Sequence, residues 1–310
     1  MMKKVAVVGA RGQIGRVLCK NLLEMGHFVK LIGRTDNIDA EELFGEELAK
    51  NTETIICNNI EDEDEVARAI IGCDVFVAAI AANEYTVTKV EPIWLNACIK
   101  AGVNRFVPSE FGCHTRSLNI GDGSLFDHKK ALHDKIFASG IDWTFIYNGY
   151  IFDYFIPNFR FYEEITTYGK LDLLIPTHDI EDIGRFAALA VTDDRTANKC
   201  VQMDYQFTTQ NELLELTKKY WGDYPLVYKH YSEAYIKKMK DIDNDNVTAK
   251  KGVETDKERW GINNVVFVIG KMHAFTDETV RATELYPDFK YRLVEDAIKR
   301  PEFFFDNANK

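Results

Sequence analysis

Val5-Ala-Val-Val-Gly9-Ala-Arg-Gly12-Gln-Ile-Gly15 decides the fold. Four apolar residues run directly into three glycines spaced three apart, and an apolar periodic run from Val17 to Leu23 follows. The pattern predicts a buried strand, a tight turn and a helix. Gly9 allows a sharp turn off the strand. Gly12 leaves room for a pyrophosphate to approach the backbone, and Gly15 lets the helix pack close to the sheet. The helix start offers free N–H groups and a partial positive charge to phosphates. The alternative is an ordinary strand–helix turn whose glycines are incidental.

The same alternation continues outward from this turn. Strands are predicted over residues 4–8, 27–32, 54–57, 75–79, 105–107 and 143–147. An acidic opening at Glu61 to Asp64 starts a helix that reaches Ile71. Further helices are predicted over 89–101, ended by Gly102, and over 126–138, ended by Ser139-Gly140, with a loop over 108–124 between them. Strands and helices in strict alternation imply an α/β fold, a doubly wound parallel Rossmann sheet with a smaller C-terminal α/β substrate domain. Residues 1–150 are read as the dinucleotide-binding Rossmann domain. Residues 151–310 are read as the substrate-binding domain, separate from the first or interleaved with it. In that second half, helices are predicted over 180–191 and 211–220, and the charged stretch 237–255 reads as a surface excursion or mobile segment.

Composition narrows the function. The chain has 310 residues, 46% of them hydrophobic, enough for a full core. A net charge of −11 argues against nucleic acid or an anionic membrane as the main partner. Met1-Met-Lys-Lys leads into a short strand rather than a leader, and no apolar run approaches the roughly 18 residues of a membrane span. The six cysteines form no C-x-x-C pair and read as reduced core thiols, which points to the cytoplasm. Seven scattered histidines show no ligand spacing, so no metal is expected. The expected partner is a small molecule, bound by a monomer or homodimer.

Four residues invite a chemical reading. Arg34 follows the second strand, where an acidic residue would bind the ribose hydroxyls of NAD. Gly33-Arg34-Thr35 instead offers a guanidinium and a hydroxyl suited to the 2′-phosphate of NADP. A surface arginine on a loop, with Asp36 close by, is the bland alternative. Lys129 shares a helical stripe with Leu132, Ile136 and Gly140, and that stripe should face the sheet, leaving Lys130 and Asp134 as surface charges. A lysine there, near the carboxyl edge of the sheet, is placed to donate or accept a proton beside a bound nicotinamide. The competing reading is a lysine that reaches solvent from the first helical turn. Tyr85-x-x-x-Lys89 has the tyrosine–lysine spacing of short-chain dehydrogenases but lies one helix too early, and a substrate-loop role suits Tyr85 better. His133 reads as a half-buried structural histidine.

Taken together, these residues resemble a known family. Val107-Pro-Ser-Glu-Phe-Gly112 is similar to the (F/L)-(L/V)-P-S-E-F-G segment of the isoflavone reductase-like, or NmrA-like, atypical short-chain reductases. Gly9-x-x-Gly12-x-x-Gly15 matches their cofactor fingerprint. Asp194-Arg-Thr-Ala-Asn-Lys199, Gln210-Asn-Glu-Leu213 and Glu284-Leu-Tyr-Pro-Asp288 resemble their later segments, in order along nearly the whole chain. The family includes pinoresinol–lariciresinol, isoflavone and phenylcoumaran benzylic ether reductases and eugenol synthase-like enzymes, which use NADPH on small aromatic substrates. Its catalytic lysine lies eleven positions before the glycine of a G-I-P-Y-T segment. Gly140-Ile-Asp-Trp-Thr144 fills that segment here, which selects Lys129. The family's S-S-N-C-F-A-G-Y-F reads here as Tyr147-Asn-Gly-Tyr-Ile-Phe-Asp-Tyr-Phe155, with its asparagine at Asn148 or replaced by Gly149. The basic pair that follows the lysine in relatives is His133-Asp134, and residues 37–43 hold no second basic residue.

The resemblance implies an NADPH-dependent reductase of a phenylpropanoid- or isoflavonoid-like substrate, with Lys129 as general acid–base. The alternative is an NADP(H)-sensing regulator without turnover. The expected cofactor contacts are Gly9, Ala10, Arg11, Gly12, Gln13, Ile14 and Gly15, then Arg34, Thr35, Ala79, Ala81, Ser109, Phe111, Lys129 and Phe152. The expected substrate contacts are Tyr85, Phe111, Tyr150 and Phe152. Along an extended chain Tyr150, Phe152 and Tyr154 would point one way and Ile151, Asp153 and Phe155 the other, so one set alone would line the pocket.

Overall fold

Residues 5–8 of the first strand are all buried, as a strand covered on both faces must be. In the computed structural model, which describes residues 2–34, 38–152, 164–222, 227–242 and 256–299, this strand is central. The strands are β1 (Lys4–Val8), β2 (Phe28–Gly33), β3 (Thr52–Ile56), β4 (Val75–Ala78), β5 (Arg105–Val107), β6 (Asp142–Tyr147) and β7 (Tyr150–Ile151). They continue with β8 (Glu164–Tyr168), β9 (Ile175–His178), β10 (Lys199–Gln202), β11 (Phe207–Thr208), β12 (Val227–Tyr231) and β13 (Thr279–Arg281). The helices are α1 (Gln13–Glu24), α2 (Ala40–Phe44), α3 (Glu46–Ala49), α4 (Glu63–Ile70), α5 (Glu91–Ala101) and α6 (Ser124–Ser139). After them come α7 (Ile180–Thr192), α8 (Gln210–Trp221), α9 (Glu233–Lys240), α10 (Asp256–Phe267), α11 (Ala282–Leu285) and α12 (Val294–Ile298).

Eight strands form one parallel sheet in the order β13-β10-β6-β5-β4-β1-β2-β3. Helices cover both faces. One layer joins Leu18 and Leu22 of α1 to Phe186 and Ala187 of α7, against Val5 and Val7 of β1. The other joins Val66 of α4, Trp94 of α5 and Leu132 of α6, against Ala6 and Val8. Alternate residues of β1 therefore serve opposite layers. The close fit of α7 on α1 depends on Gly184, where a Cβ would lie 2.5 Å from Val17 Cγ2. A three-stranded sheet, β11-β9-β7, and a parallel pair, β12-β8, form the smaller second layer.

The predicted strands 4–8 and 105–107 coincide with β1 and β5, whereas β2 and β3 are displaced by one or two residues, the ordinary uncertainty at element ends. The helix predicted over 89–101 begins at Glu91, because a π-helical turn over Thr86–Val90 precedes it, and it ends at Gly102 with φ +70°. In the second half, β10 and β13 extend the large sheet beyond β6, pairing the later chain with the earlier one. One expectation there is corrected. Residues 237–240 belong to α9 rather than to an irregular excursion; residues 243–255 lie outside the described residues. Among the described residues, no helix is long and apolar enough to cross a membrane.

Candidate active site

β1 and β4 are neighbours, and their connections leave toward opposite sides of the sheet. A crevice opens at such a switch point, outside the carboxyl ends of the strands. A cavity of about 1020 Å³ lies there. Its walls come from the turns after β1 (Gly12, Gln13, Ile14), β4 (Ala79 to Ala82), β5 (Ser109 to Cys113) and β6 (Gly149, Tyr150, Ile151). The first half of α6 (Leu125, Phe126, Lys129) and one face of α10 (Arg259, Ile262, Asn263, Val266) complete it, with Tyr168 and Met272.

The glycine turn is tight for steric reasons. Gly9 has φ +93°, and a Cβ on it would lie 2.3 Å from the Ala79 carbonyl oxygen. The Gly12 N–H donates to the Gly9 carbonyl at 2.8 Å. A Cβ on Gly15 would sit 2.0 Å from the same carbonyl oxygen, so strand, turn and helix touch through backbone alone. α1 follows the N-cap residue Gly12, with no side-chain cap and no acidic residue in its first turn. The partial positive charge of this helix start lies at the cavity. Gly12, Gln13, Ile14, Ala79, Ala81, Ser109, Phe111 and Lys129 of the expected cofactor contacts line the cavity. Gly9 and Gly15 shape the turn from behind, Ala10 is buried in the core, and Arg11 is exposed. Arg34 is exposed just past β2, whose register sets Ile32 beside Val8. Thr35 and Asp36 lie outside the described residues.

Lys129 sits on the buried stripe of α6 with Leu132 and Ile136 and is 4% exposed. Its Nζ donates to the carbonyl oxygens of Ser109 at 2.7 Å and Glu110 at 3.1 Å. It also lies 3.6 Å from Glu110 Oε2. The other oxygen of that carboxylate is 2.7 Å from His133 Nε2, and Thr115 Oγ1 donates to Oε2 at 2.6 Å. Burial alone would raise the Glu110 pKa. The charges of Lys129 and His133, with hydrogen bonds from His133 and Thr115, outweigh it and bring the carboxyl down to about 2. His133 is therefore not half-buried. It is fully enclosed, stacked on Phe145 with ring centroids 4.0 Å apart and tied to Glu110.

Two aromatic assignments are corrected. Phe152 is 0% exposed and packs with Ile165, Ile175 and Leu213 rather than on the cavity wall. β7 is two residues long, so alternation stops before it can sort the side chains, and Tyr150 and Ile151 both face the cavity. Tyr154, Asp153 and Phe155 lie outside the described residues. Tyr85 turns the other way, its hydroxyl donating to Glu61 at 2.7 Å, and it does not line the cavity. Phe111 does, from a backbone with φ +25°, a conformation a bulky residue adopts only where its surroundings impose it.

Sequence reasoning missed the α10 wall and Glu91. Arg259, Ile262, Asn263 and Val266 repeat at i, i+3, i+4 and i+7, a helical-face signal that was available. Glu91 gave no signal, because its partner is a backbone N–H: Ser109 donates to its Oε2 at 3.1 Å, while Oε1 has no hydrogen-bond partner. Burial pushes this carboxyl up to about 7. The native state thus keeps a proton that the unfolded chain releases near the usual carboxylate range. Stability should fall as pH rises from about 4.5 toward 7, and Glu91→Gln should flatten that fall. Urea unfolding midpoints at a series of pH values check this; parallel curves for both proteins would refute it.

The comparisons with known proteins agree with this geometry. The NmrA-like family model matches residues 1–298. The chain belongs to the NmrA-like family. Isoeugenol synthase 1 of Petunia hybrida is 25% identical over 317 residues, covering 96% of this chain and 92% of the relative. Phenylcoumaran benzylic ether reductase Betv6 of Betula pendula is 25% identical over 322 residues, covering 96% and 98%. Among solved structures, the complex of leucoanthocyanidin reductase with NADPH from Vitis vinifera superposes with a TM-score of 0.79 at 20% identity, covering 97% of this chain and 99% of that one. This NmrA-like chain therefore shares the whole fold with its relatives, not the Rossmann half alone.

Proposed function

We propose that the chain is an NADPH-dependent oxidoreductase that reduces a small aromatic substrate of phenylpropanoid type, with Lys129 as its general acid–base. One observation carries the reading: the glycine turn at the start of α1 and the buried Lys129 open into the same cavity. The fit to a dinucleotide rests on that turn. Gly12 presents bare backbone, α1 presents a helix start without a side-chain cap, and Ala79 and Ala81 keep the facing wall low. NADPH, when bound, supplies the hydride. Arg34, at the end of β2, would meet the 2′-phosphate. Tyr150 and Phe126 would offer aromatic surface to the substrate, each good ring pair contributing about 0.5–1.5 kcal/mol beyond burial. The relatives named above support the substrate class by their own names.

Consumption of NADPH with a panel of isoflavones, lignans such as pinoresinol and phenylpropenyl compounds tests the reading. Tight NADPH binding without consumption across the panel would favour a sensor instead. Cofactor choice has its own test. Arg34→Ala should weaken NADPH by roughly 1.5–3 kcal/mol, the scale of a charge-assisted hydrogen bond, and leave NADH unchanged. Equal losses for both, measured by titration, would remove Arg34 from the site.

A further inference from the structure

Glu110 is buried among polar partners: its side chain is 1% exposed, and its carboxylate meets Lys129, His133 and Thr115. A buried carboxylate is costly unless cations and donors surround it, and those around this one converge from two elements. α6 contributes Lys129 and His133, one helical turn apart on the same face. The loop after β5 contributes the Thr115 hydroxyl. That loop also takes two hydrogen bonds from Lys129 through the carbonyl oxygens of Ser109 and Glu110. An ammonium has three N–H donors and no acceptor. The two carbonyls take two of them, and the carboxylate 3.6 Å away balances the charge without taking the third.

Resting on the reading of Lys129 as the proton carrier, we propose that Glu110 is a positioning residue that holds Lys129 charged and fixed against the β5–α6 loop, so that the lysine meets substrate as a proton donor. In that step an N–H bond of Lys129 breaks as an O–H bond forms on the substrate. The electron pair stays on Nζ, and water restores the proton after product leaves.

The other titratable groups around Glu110 do not compete at neutral pH. Burial pushes Cys113, in the same loop, up to about 12 and does the same to Cys200 of β10. It raises Tyr147 of β6 well above its usual range and lowers His114 to about 4. Glu91 of α5, raised to about 7 by burial, adds a second negative charge only above that pH. Its ionisation would reinforce the positive form of Lys129.

The test reads the lysine itself. The full-length chain is labelled with carbon-13 at lysine Cε, and the Lys129 signal is identified by its loss in Lys129→Met. Glu110→Gln should move the pH midpoint of that signal down by about one unit or more, tenfold in the proton equilibrium. Glu110→Asp, which keeps the charge, should restore most of it. An unmoved midpoint in folded Glu110→Gln overturns the proposal. Should that variant not fold, the coupling is read from the other side, since it is mutual. The stability gap between wild type and Lys129→Met should narrow as pH falls from about 4.5 to about 2, where Glu110 takes up its proton. A gap independent of pH overturns the proposal equally. Loss of turnover in Lys129→Met with an unmoved midpoint would refute Glu110 alone. Turnover retained in Lys129→Met would refute the functional reading and this proposal with it.

Discussion

Lys129→Met is expected to lower kcat for NADPH consumption by about 10²–10⁴-fold, the usual contribution of a positioned acid or base. The substitution has a second consequence. It leaves the Glu110 carboxylate buried with His133 and Thr115 but without the ammonium 3.6 Å away. Removing one partner of a buried ion pair typically costs about 3–5 kcal/mol, so the single variant should also be less stable. Glu110→Gln in the same chain removes the stranded charge. The double variant should recover stability while remaining as slow as Lys129→Met, and this separates proton transfer from folding. Calorimetry and single-turnover kinetics on both variants make the comparison. A folded Lys129→Met with near wild-type kcat would leave Lys129 a structural cation.

Gly15→Ala is expected to damage binding and stability together. The added Cβ would meet the Gly9 carbonyl oxygen at 2.0 Å, its carbon at 2.7 Å and Ala10 Cα at 3.1 Å. All three are backbone atoms of the turn, so no side chain can swing aside. Overpacking of this kind costs about 1–3 kcal/mol, only partly offset by the better helix propensity of alanine, roughly 0.5–1 kcal/mol. Relief requires the turn to lift off α1, and the same turn presents Gly12 to the cavity. The expected result is a lower Tm and at least about tenfold weaker NADPH binding, equivalent to about 1.4 kcal/mol. Unchanged affinity by fluorescence titration would show that the turn has no part in holding the cofactor.

The parts legible in the sequence are those fixed by near neighbours. β1, its glycine turn and α1 follow one another directly, and each glycine is constrained by atoms of the same turn or the strand beside it. Lys129 was legible because helical periodicity alone separates it from Lys130 and Asp134. What stayed hidden depends on distant partners. His133 is buried because Glu110, 23 residues away, meets it there. Phe152 was misplaced because strand alternation was extended past a strand that ends at Ile151. The helix carrying Arg259 and Asn263 reaches the cavity from the far end of the chain, through contacts such as Asn264 Nδ2 to the Asp122 carbonyl at 2.9 Å.

The position of β13 has a consequence for biosynthesis. The six strands from β1 to β6 are complete once residue 147 has been made, yet β6 then forms the open margin of the sheet. Its unpaired backbone is closed by β10 more than fifty residues later, and β10 in turn by β13 at Thr279–Arg281. During synthesis at about 5–20 residues per second, that margin stays uncovered for seconds after the first six strands have emerged. Exposed strand margins pair with other chains, so nascent and truncated forms of this protein are the ones at risk of aggregation. A chain stopped before Thr279 would keep the whole cavity turn at Gly9 to Gly15 and still carry an unprotected β10.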